Sequence, residues 1–246
     1  MYAALRALMR AMVAVYLGRR FRVTGAGAVP RTGPLLVCAN HASTLDPPLL
    51  PAYVPRGDSW NMAKAEYFAR PGVSRWFFRR YNAFPIVRHS PDRRGLRRAM
   101  DVVRRGGALI LYPEGTRVER GGMQRAEPGA GFIARTLGVD VQPVGLIGTR
   151  ECFPKGALWP RRTHVTVRFG PLLRIRPRRP DGRRIKNQEA ADAIMLAIAR
   201  LLPEDMRGVY ADVDELAARL DGVWEPATEA RQAEASARSE GSPSSS

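Results

Sequence analysis

Between residues 35 and 150, short continuous apolar runs alternate with longer stretches in which apolar residues recur every three or four positions. The runs Leu35 to Ala39, Trp60 to Ala63, Phe84 to Val87, Ala108 to Tyr112 and Val141 to Ile147 are too short for helices and predict buried strands. Asp92 to Arg105 predicts an amphipathic helix, with Leu96, Met100 and Val103 on one side and Gly106-Gly107 ending it. Gly129 to Leu137 predicts a helix stopped by Gly138, and Asn187 to Leu202 another with Ile194, Ile198 and Leu201 on one side. Short helical pieces are expected at Pro48 to Tyr53, Ala65 to Phe68 and Ser74 to Arg80, the last packing through Trp76 and Phe77. Val165 to Phe169 alternates and reads as a strand. This order predicts an α/β fold: a mixed, mostly parallel sheet flanked by helices.

The first seventeen residues are apolar but broken by Arg6 and Arg10, and they end in no small-residue cleavage site. They predict an amphipathic helical appendage, with Leu5, Leu8, Met9, Met12 and Val13 near helical spacing and a basic collar of Arg19, Arg20 and Arg22. Such a helix either lies in a membrane interface or packs on the domain's own core. The expected organisation is therefore an interface helix over 1–22, one domain over 23–226 and a disordered tail over 227–246. No run reaches the ~20 apolar residues needed to cross a bilayer.

Composition adds one constraint. The formal net charge is +17 over 246 residues. Only Lys64, Lys155 and Lys186 are lysines, so the excess is arginine, which favours phosphate and carboxylate. An anionic partner follows: a membrane surface, a phosphorylated substrate or nucleic acid. Arg161, Arg162, Arg174, Arg176, Arg178, Arg179, Arg183 and Arg184 offer a basic surface, but the Arg-rich stretch after Phe169 lacks interleaved aromatics and no nucleic-acid motif accompanies it. Cys38 and Cys152 have neither metal nor redox spacing, and Cys38 reads as a small buried hydrophobe.

The chemistry gathers in a few stretches. His41, one of three histidines, stands where a strand should end, five residues before Asp46. A histidine oriented by a carboxylate is the usual general base. Five residues apart on a helix, the two would face different ways, so they meet only if 41–46 form a turn. Pro47 and Pro48 favour this by pushing Asp46 and Pro47 out of the α region. Alternatively, Asp46 caps a helix with Pro47 in its first turn. In Tyr112-Pro113-Glu114-Gly115-Thr116-Arg117, a strand runs into a turn whose amides, hydroxyl and guanidinium suit a phosphate. Arg88 ends another strand, where ligands of α/β sheets collect.

Asn40-His41-x-Ser43-x-x-Asp46, Phe84-Pro85-Ile86-Val87-Arg88, Tyr112 to Arg117 and Val141-Gln142-Pro143-Val144, in that order, resemble the motifs of the glycerolipid acyltransferase family, best known from 1-acyl-sn-glycerol-3-phosphate acyltransferases. The resemblance extends over roughly residues 20 to 215. It implies His41 as general base, Asp46 as its orienting carboxylate, and Arg88, Glu114, Gly115, Thr116 and Arg117 as the binding site for the acceptor's phosphate. It further implies acyl-coenzyme A or acyl carrier protein as donor, a lysophospholipid acceptor, and a peripheral place on the cytoplasmic face of an anionic membrane. No cofactor, metal or nucleic acid is expected. Two positions depart from the pattern. Tyr112 stands where the family often has Phe, and Glu127-Pro128-Gly129 stands where it commonly has Lys two residues before Gly. The second leaves open another lyso-lipid or alcohol as acceptor.

Overall fold

The structure is a computed structural model and describes residues 1–69, 72–87, 92–118 and 121–232. Helix α1 (Tyr2–Tyr16) leads into strands β1 (Phe21–Thr24) and β2 (Leu35–Ala39), then α2 (Asp46–Tyr53) and β3 (Ser59–Lys64). Short helices α3 (Glu66–Ala69) and α4 (Val73–Arg80) precede β4 (Ala83–Ile86), α5 (Arg93–Arg104), β5 (Ala108–Leu111), α6 (Gly129–Leu137) and β6 (Asp140–Ile147). The chain closes with α7 (Thr149–Cys152), β7 (Val165–Phe169), β8 (Leu173–Ile175), α8 (Asn187–Ala199), α9 (Val213–Arg219) and β9 (Trp224–Pro226).

The strands form one sheet in the order β1-β7-β6-β2-β5-β3-β4, with β8 and β9 extending from β6. Pairs β2–β5, β2–β6, β3–β5, β3–β4 and β1–β7 are parallel, whereas β6–β7, β6–β8 and β8–β9 are antiparallel. The continuous apolar runs are explained by burial on both faces. Along β2, Leu36 and Cys38 point to the side covered by α5, α6 and α8, while Leu35, Val37 and Ala39 point to the side covered by α1 and α2. Burial pushes the Cys38 thiol up from its ordinary value, as befits a small core residue.

Glycine is required where α6 meets α8. A side chain at Gly131 would lie 2.1 Å from the Asn187 carbonyl oxygen and 2.5 Å from the Ala191 nitrogen. The two helices therefore approach through a position that only glycine fits.

The structure differs from the sequence-based expectation in four places. The tail does not begin at 227: residues 227–232 are helical, Ala227 and Ala230 are buried, and Arg231 bonds Asp140. The remaining tail, 233–246, lies outside the described residues. The Arg-rich stretch after Phe169 is partly internal. Arg174 pairs with Asp140 at 2.7 Å, Arg176 with Glu225 at 2.8 Å and Arg179 with Glu189 at 2.9 Å, and Arg174 lies in β8. Trp76 does not pack; it is exposed, while Phe77 stacks on Tyr81. The prolines do not hold Asp46 out of the helical region either. They occupy the first turn of α2, where a missing N–H costs no helical bond.

Helix α1 has two apolar sides. Val13 and Leu17 are buried in the core beside α2, with Met9 packed against them. Arg6 donates to the carbonyls of Val54 and Arg56, and Arg10 Nε to that of Ala52 at 2.5 Å. These cations thus satisfy carbonyls at and just beyond the C-terminal end of α2. On the other side Leu8, Met12 and Val15 stand exposed. Among the described residues no helix is long and apolar enough to cross a membrane.

Candidate active site

Parallel pairing brings the distant motifs together. Cys38 of β2 lies beside Leu111 of β5, so the loops starting at Asn40 and Tyr112 leave the same edge of the sheet from neighbouring strands. Strands β3 and β4 run parallel beside β5 and end at that edge with Lys64 and Ile86. Crevices outside the carboxyl ends of parallel strands are where α/β folds bind ligands.

His41 is held on every side. Its ring Nδ1 lies 2.9 Å from Asp46 Oδ2. The same oxygen accepts the backbone N–H groups of Ala42 at 2.8 Å and Ser43 at 2.7 Å. The Asp46 N–H in turn donates to the Ser43 carbonyl at 3.3 Å, closing the turn that the five-residue spacing demands. Asp46 therefore turns its side chain back on the histidine loop, which excludes the plain N-cap alternative. Since a carboxylate only accepts, the neutral imidazole carries its proton on Nδ1 and presents a lone pair at Nε2.

The second loop fixes the histidine's backbone. The His41 N–H donates to Glu114 Oε1 at 2.8 Å, and the His41 carbonyl accepts from the Val118 N–H at 2.9 Å. The Tyr112 ring stacks on the imidazole, with centroids 4.3 Å apart and planes 26° apart. Asn40 anchors the first loop to β6, donating to the Leu146 carbonyl at 3.0 Å and accepting the Leu146 N–H at 2.7 Å. Ser43 Oγ reaches the Phe153 carbonyl at 3.0 Å. His41, Ser43, Asp46 and Glu114 are all buried.

Two adjoining cavities share Tyr112. The smaller, about 260 Å³, is lined by His41, Thr44, Asn61, Lys64, Tyr112 and Arg117, among others. The larger, about 610 Å³, has mainly apolar walls, including Met62, Ile86, Leu96, Leu111 and Ile133, with Gly115 and Glu127 at one side. Asn61's side-chain amide and the Tyr112 hydroxyl are buried without a hydrogen-bond partner among the described residues. Both line the histidine's cavity. Nothing in the sequence marked Asn61, because an isolated Asn on a strand carries no spacing signal.

Of the residues expected to bind phosphate, Arg117 reaches the histidine's cavity and Gly115 the larger one. Gly115 adopts φ +69°, and a side chain there would stand 3.1 Å from Glu127 Cγ. Thr116, between them, is half-buried. Arg88 lies outside the described residues; Val87 before it lines the larger cavity. Glu114 does not face either cavity as a phosphate ligand would. Its two oxygens are taken by the N–H groups of His41 and, at 2.8 Å, Gln124. Burial outweighs these bonds and raises its carboxyl pKa to about 7. Among the described residues no group of His, Cys, Asp and Glu forms a metal site.

A family model described as Acyltransferase matches residues 20–147, more than half of the chain, including His41, Asp46, Glu114 and Arg117. A chloroplast 1-acyl-sn-glycerol-3-phosphate acyltransferase of Brassica napus is 28% identical over 60% of this chain and 43% of its own length. A lyso-ornithine lipid O-acyltransferase of Pseudomonas aeruginosa is 33% identical over 54% of this chain and 50% of its own. The 1-acyl-sn-glycerol-3-phosphate acyltransferase of Borreliella burgdorferi is 26% identical over 68% of both chains. The chain thus spans less than half of the plant relative and about two thirds of the spirochaete one. The crystal structure of PlsC, the 1-acyl-sn-glycerophosphate acyltransferase of Thermotoga maritima, superposes with a TM-score of 0.64 over 80% of this chain and 77% of that one, at 24% identity, and so shares the fold. With the family match, the mostly parallel sheet and the His41–Asp46 pair at its carboxyl edge, the chain belongs to the glycerolipid acyltransferase family.

Proposed function

We propose that this protein moves a fatty acyl group from a thioester, acyl-coenzyme A or acyl carrier protein, to the free hydroxyl of lysophosphatidic acid, giving phosphatidic acid. The 2.9 Å contact between His41 Nδ1 and Asp46 Oδ2, in a cavity wall shared with Arg117, carries this reading. His41 Nε2 takes the hydroxyl proton as the oxygen attacks the thioester carbonyl. Asp46 stabilises the imidazolium that results. The tetrahedral adduct collapses with breakage of the C–S bond, and the imidazolium returns the proton to the leaving thiolate. Arg117, with Gly115, Thr116 and Arg88, takes the acceptor's phosphate. Glu114 acts instead as a positioning residue, because a carboxylate would repel that anion. The apolar cavity of about 610 Å³ suits the acyl chain.

The apolar stripe of α1 and the exposed collar of Arg19, Arg20 and Arg22 support a peripheral place on an anionic membrane, at the cytoplasmic face. Each arginine near such a surface contributes about 1 kcal/mol.

The test is thiol release from a long-chain acyl-coenzyme A, with and without lysophosphatidic acid, for the natural protein and His41→Ala. Acceptor-dependent release that vanishes in the variant is expected. Release unchanged in His41→Ala would overturn the mechanism. A second reading keeps the chemistry and changes the acceptor. Glu127 sets a carboxylate beside Gly115 in the cavity wall, which favours an acceptor carrying a positive amine, and one relative is named for a lyso-ornithine lipid. Release with that lipid and none with lysophosphatidic acid would select it.

A further inference from the structure

The segment joining α7 to β7 holds two large apolar side chains out in water. Leu158 is 89% exposed and Trp159 82%. The loop bearing them is nevertheless tied down. The Phe153 carbonyl accepts from Ser43 Oγ at 3.0 Å, and the Arg161 N–H donates to the Cys152 carbonyl at 2.6 Å. The Ala157 N–H closes a turn on the Pro154 carbonyl at 3.1 Å. Tyr16, the last residue of α1, donates its hydroxyl to the Pro160 carbonyl, and the Arg162 guanidinium sits 5.3 Å from the centre of the Tyr16 ring. The fold thus fixes one end of the loop to the catalytic histidine's loop and the other to α1.

What the loop adjoins identifies its occupant. Val15, one residue before Tyr16, is 83% exposed and continues the stripe of Leu8 and Met12. Residues 1–24 and 153–164 contain no Asp or Glu, and Arg19, Arg20, Arg161 and Arg162 are exposed. A Trp and a Leu on a turn, beside four exposed arginines against one exposed acid, Glu151 of α7, match the interface of an anionic bilayer. There an indole rests at headgroup depth and cations meet lipid phosphates.

We propose that Leu158 and Trp159 are a second membrane anchor, inserting beside the α1 stripe into an anionic lipid surface and holding the His41 loop there through the Ser43–Phe153 bond. This rests on the reading that the enzyme works on a lipid, but its test is separate.

The full-length protein is sedimented with vesicles of phosphatidylcholine containing phosphatidylglycerol, and with phosphatidylcholine alone. Leu158→Ser/Trp159→Ser should lower the partition coefficient onto the anionic vesicles about tenfold or more, since both side chains lose burial in the interface. Its thermal melt should match the natural protein's, because both positions are on the surface. Trp159→Phe should keep most of the binding yet lose the vesicle-induced blue shift of tryptophan emission, assigning that shift to one of the four tryptophans. Binding of the double variant within twofold of the natural protein, or an undiminished blue shift in Trp159→Phe, overturns the proposal. So does a lipid-free dimer of the natural protein that the double variant abolishes, which would make the patch a contact between copies. Acyl transfer from detergent-dispersed substrates should be unchanged in the double variant. If the natural protein binds vesicles through this loop yet transfers no acyl group to any acceptor, the enzyme reading fails and the anchor stands.

Discussion

The Glu114 carboxylate grips the backbone of His41, 2.8 Å from its N–H, across two neighbouring strand ends. The second oxygen holds the Gln124 N–H, so one side chain ties the His41 loop to the loop that follows β5. The residue that the motif pattern associates with phosphate is thereby the brace of His41.

Its pH behaviour follows from the raised pKa. A carboxyl near 7 in the folded state and near 4.3 in the unfolded state binds its proton more tightly when folded. Its contribution to stability is complete below the unfolded value and is lost as pH rises through about 7. Glu114→Gln cannot ionise, and it offers an amide N–H₂ to one of the two backbone donors, at a cost of ~1–3 kcal/mol. Urea unfolding at pH 5 and pH 8 should show the natural protein's advantage over the variant shrinking by on the order of 3 kcal/mol at the higher pH. A pH-independent difference would contradict the assignment.

Asp46→Asn should spare the fold and injure the rate. The amide oxygen can take the place of Oδ2, where three N–H groups converge, and leave its N–H₂ at Oδ1, which has no partner among the described residues. The tautomer is then kept, but the charge that stabilises the imidazolium is gone. We expect kcat to fall roughly 10²–10⁴-fold with KM for either substrate within about threefold. Steady-state kinetics with both substrates varied decide it; a rise in KM alone would make Asp46 a structural residue.

Chain length should respond to Ala130, a small residue in the wall of the larger cavity. Ala130→Leu intrudes into the space assigned to the acyl chain. Each methylene misfitted in an apolar pocket costs roughly 1–3 kcal/mol in specificity. The variant's kcat/KM should drop more than about tenfold with the longest acyl donors and stay within about threefold for short ones. A uniform drop across a series of acyl-coenzyme A lengths would place the chain elsewhere.

The elements that were legible are those whose pattern is local. Central strands buried on both faces show as unbroken apolar runs, as at Leu35 to Ala39, while Val165 to Phe169 shows by alternation, and both are strands with those bounds. The edge elements were less visible. Strands β1, β8 and β9 are only three or four residues long and each carries a charged residue, and Arg174 of β8 shows no strand pattern until Asp140 is found opposite it. For the same reason the helical turn over 227–232 was hidden: Arg231 is held by Asp140, a partner 91 residues away.

By itself the sequence determined the fold class and the family, and it offered the His41–Asp46 turn as one of two readings. Each of these rests on residue order, spacing and hydrophobic period, which the chain carries locally. Only the tertiary structure decided that Glu114 braces His41, that Arg6 and Arg10 cap α2 rather than face lipid, and that the loop bearing Trp159 is tied through Phe153 to the His41 loop. In each case the partner lies more than forty residues away, brought near by parallel pairing of strands or by docking of α1. No local pattern records such a meeting, because the apolar surface buried around it drives it.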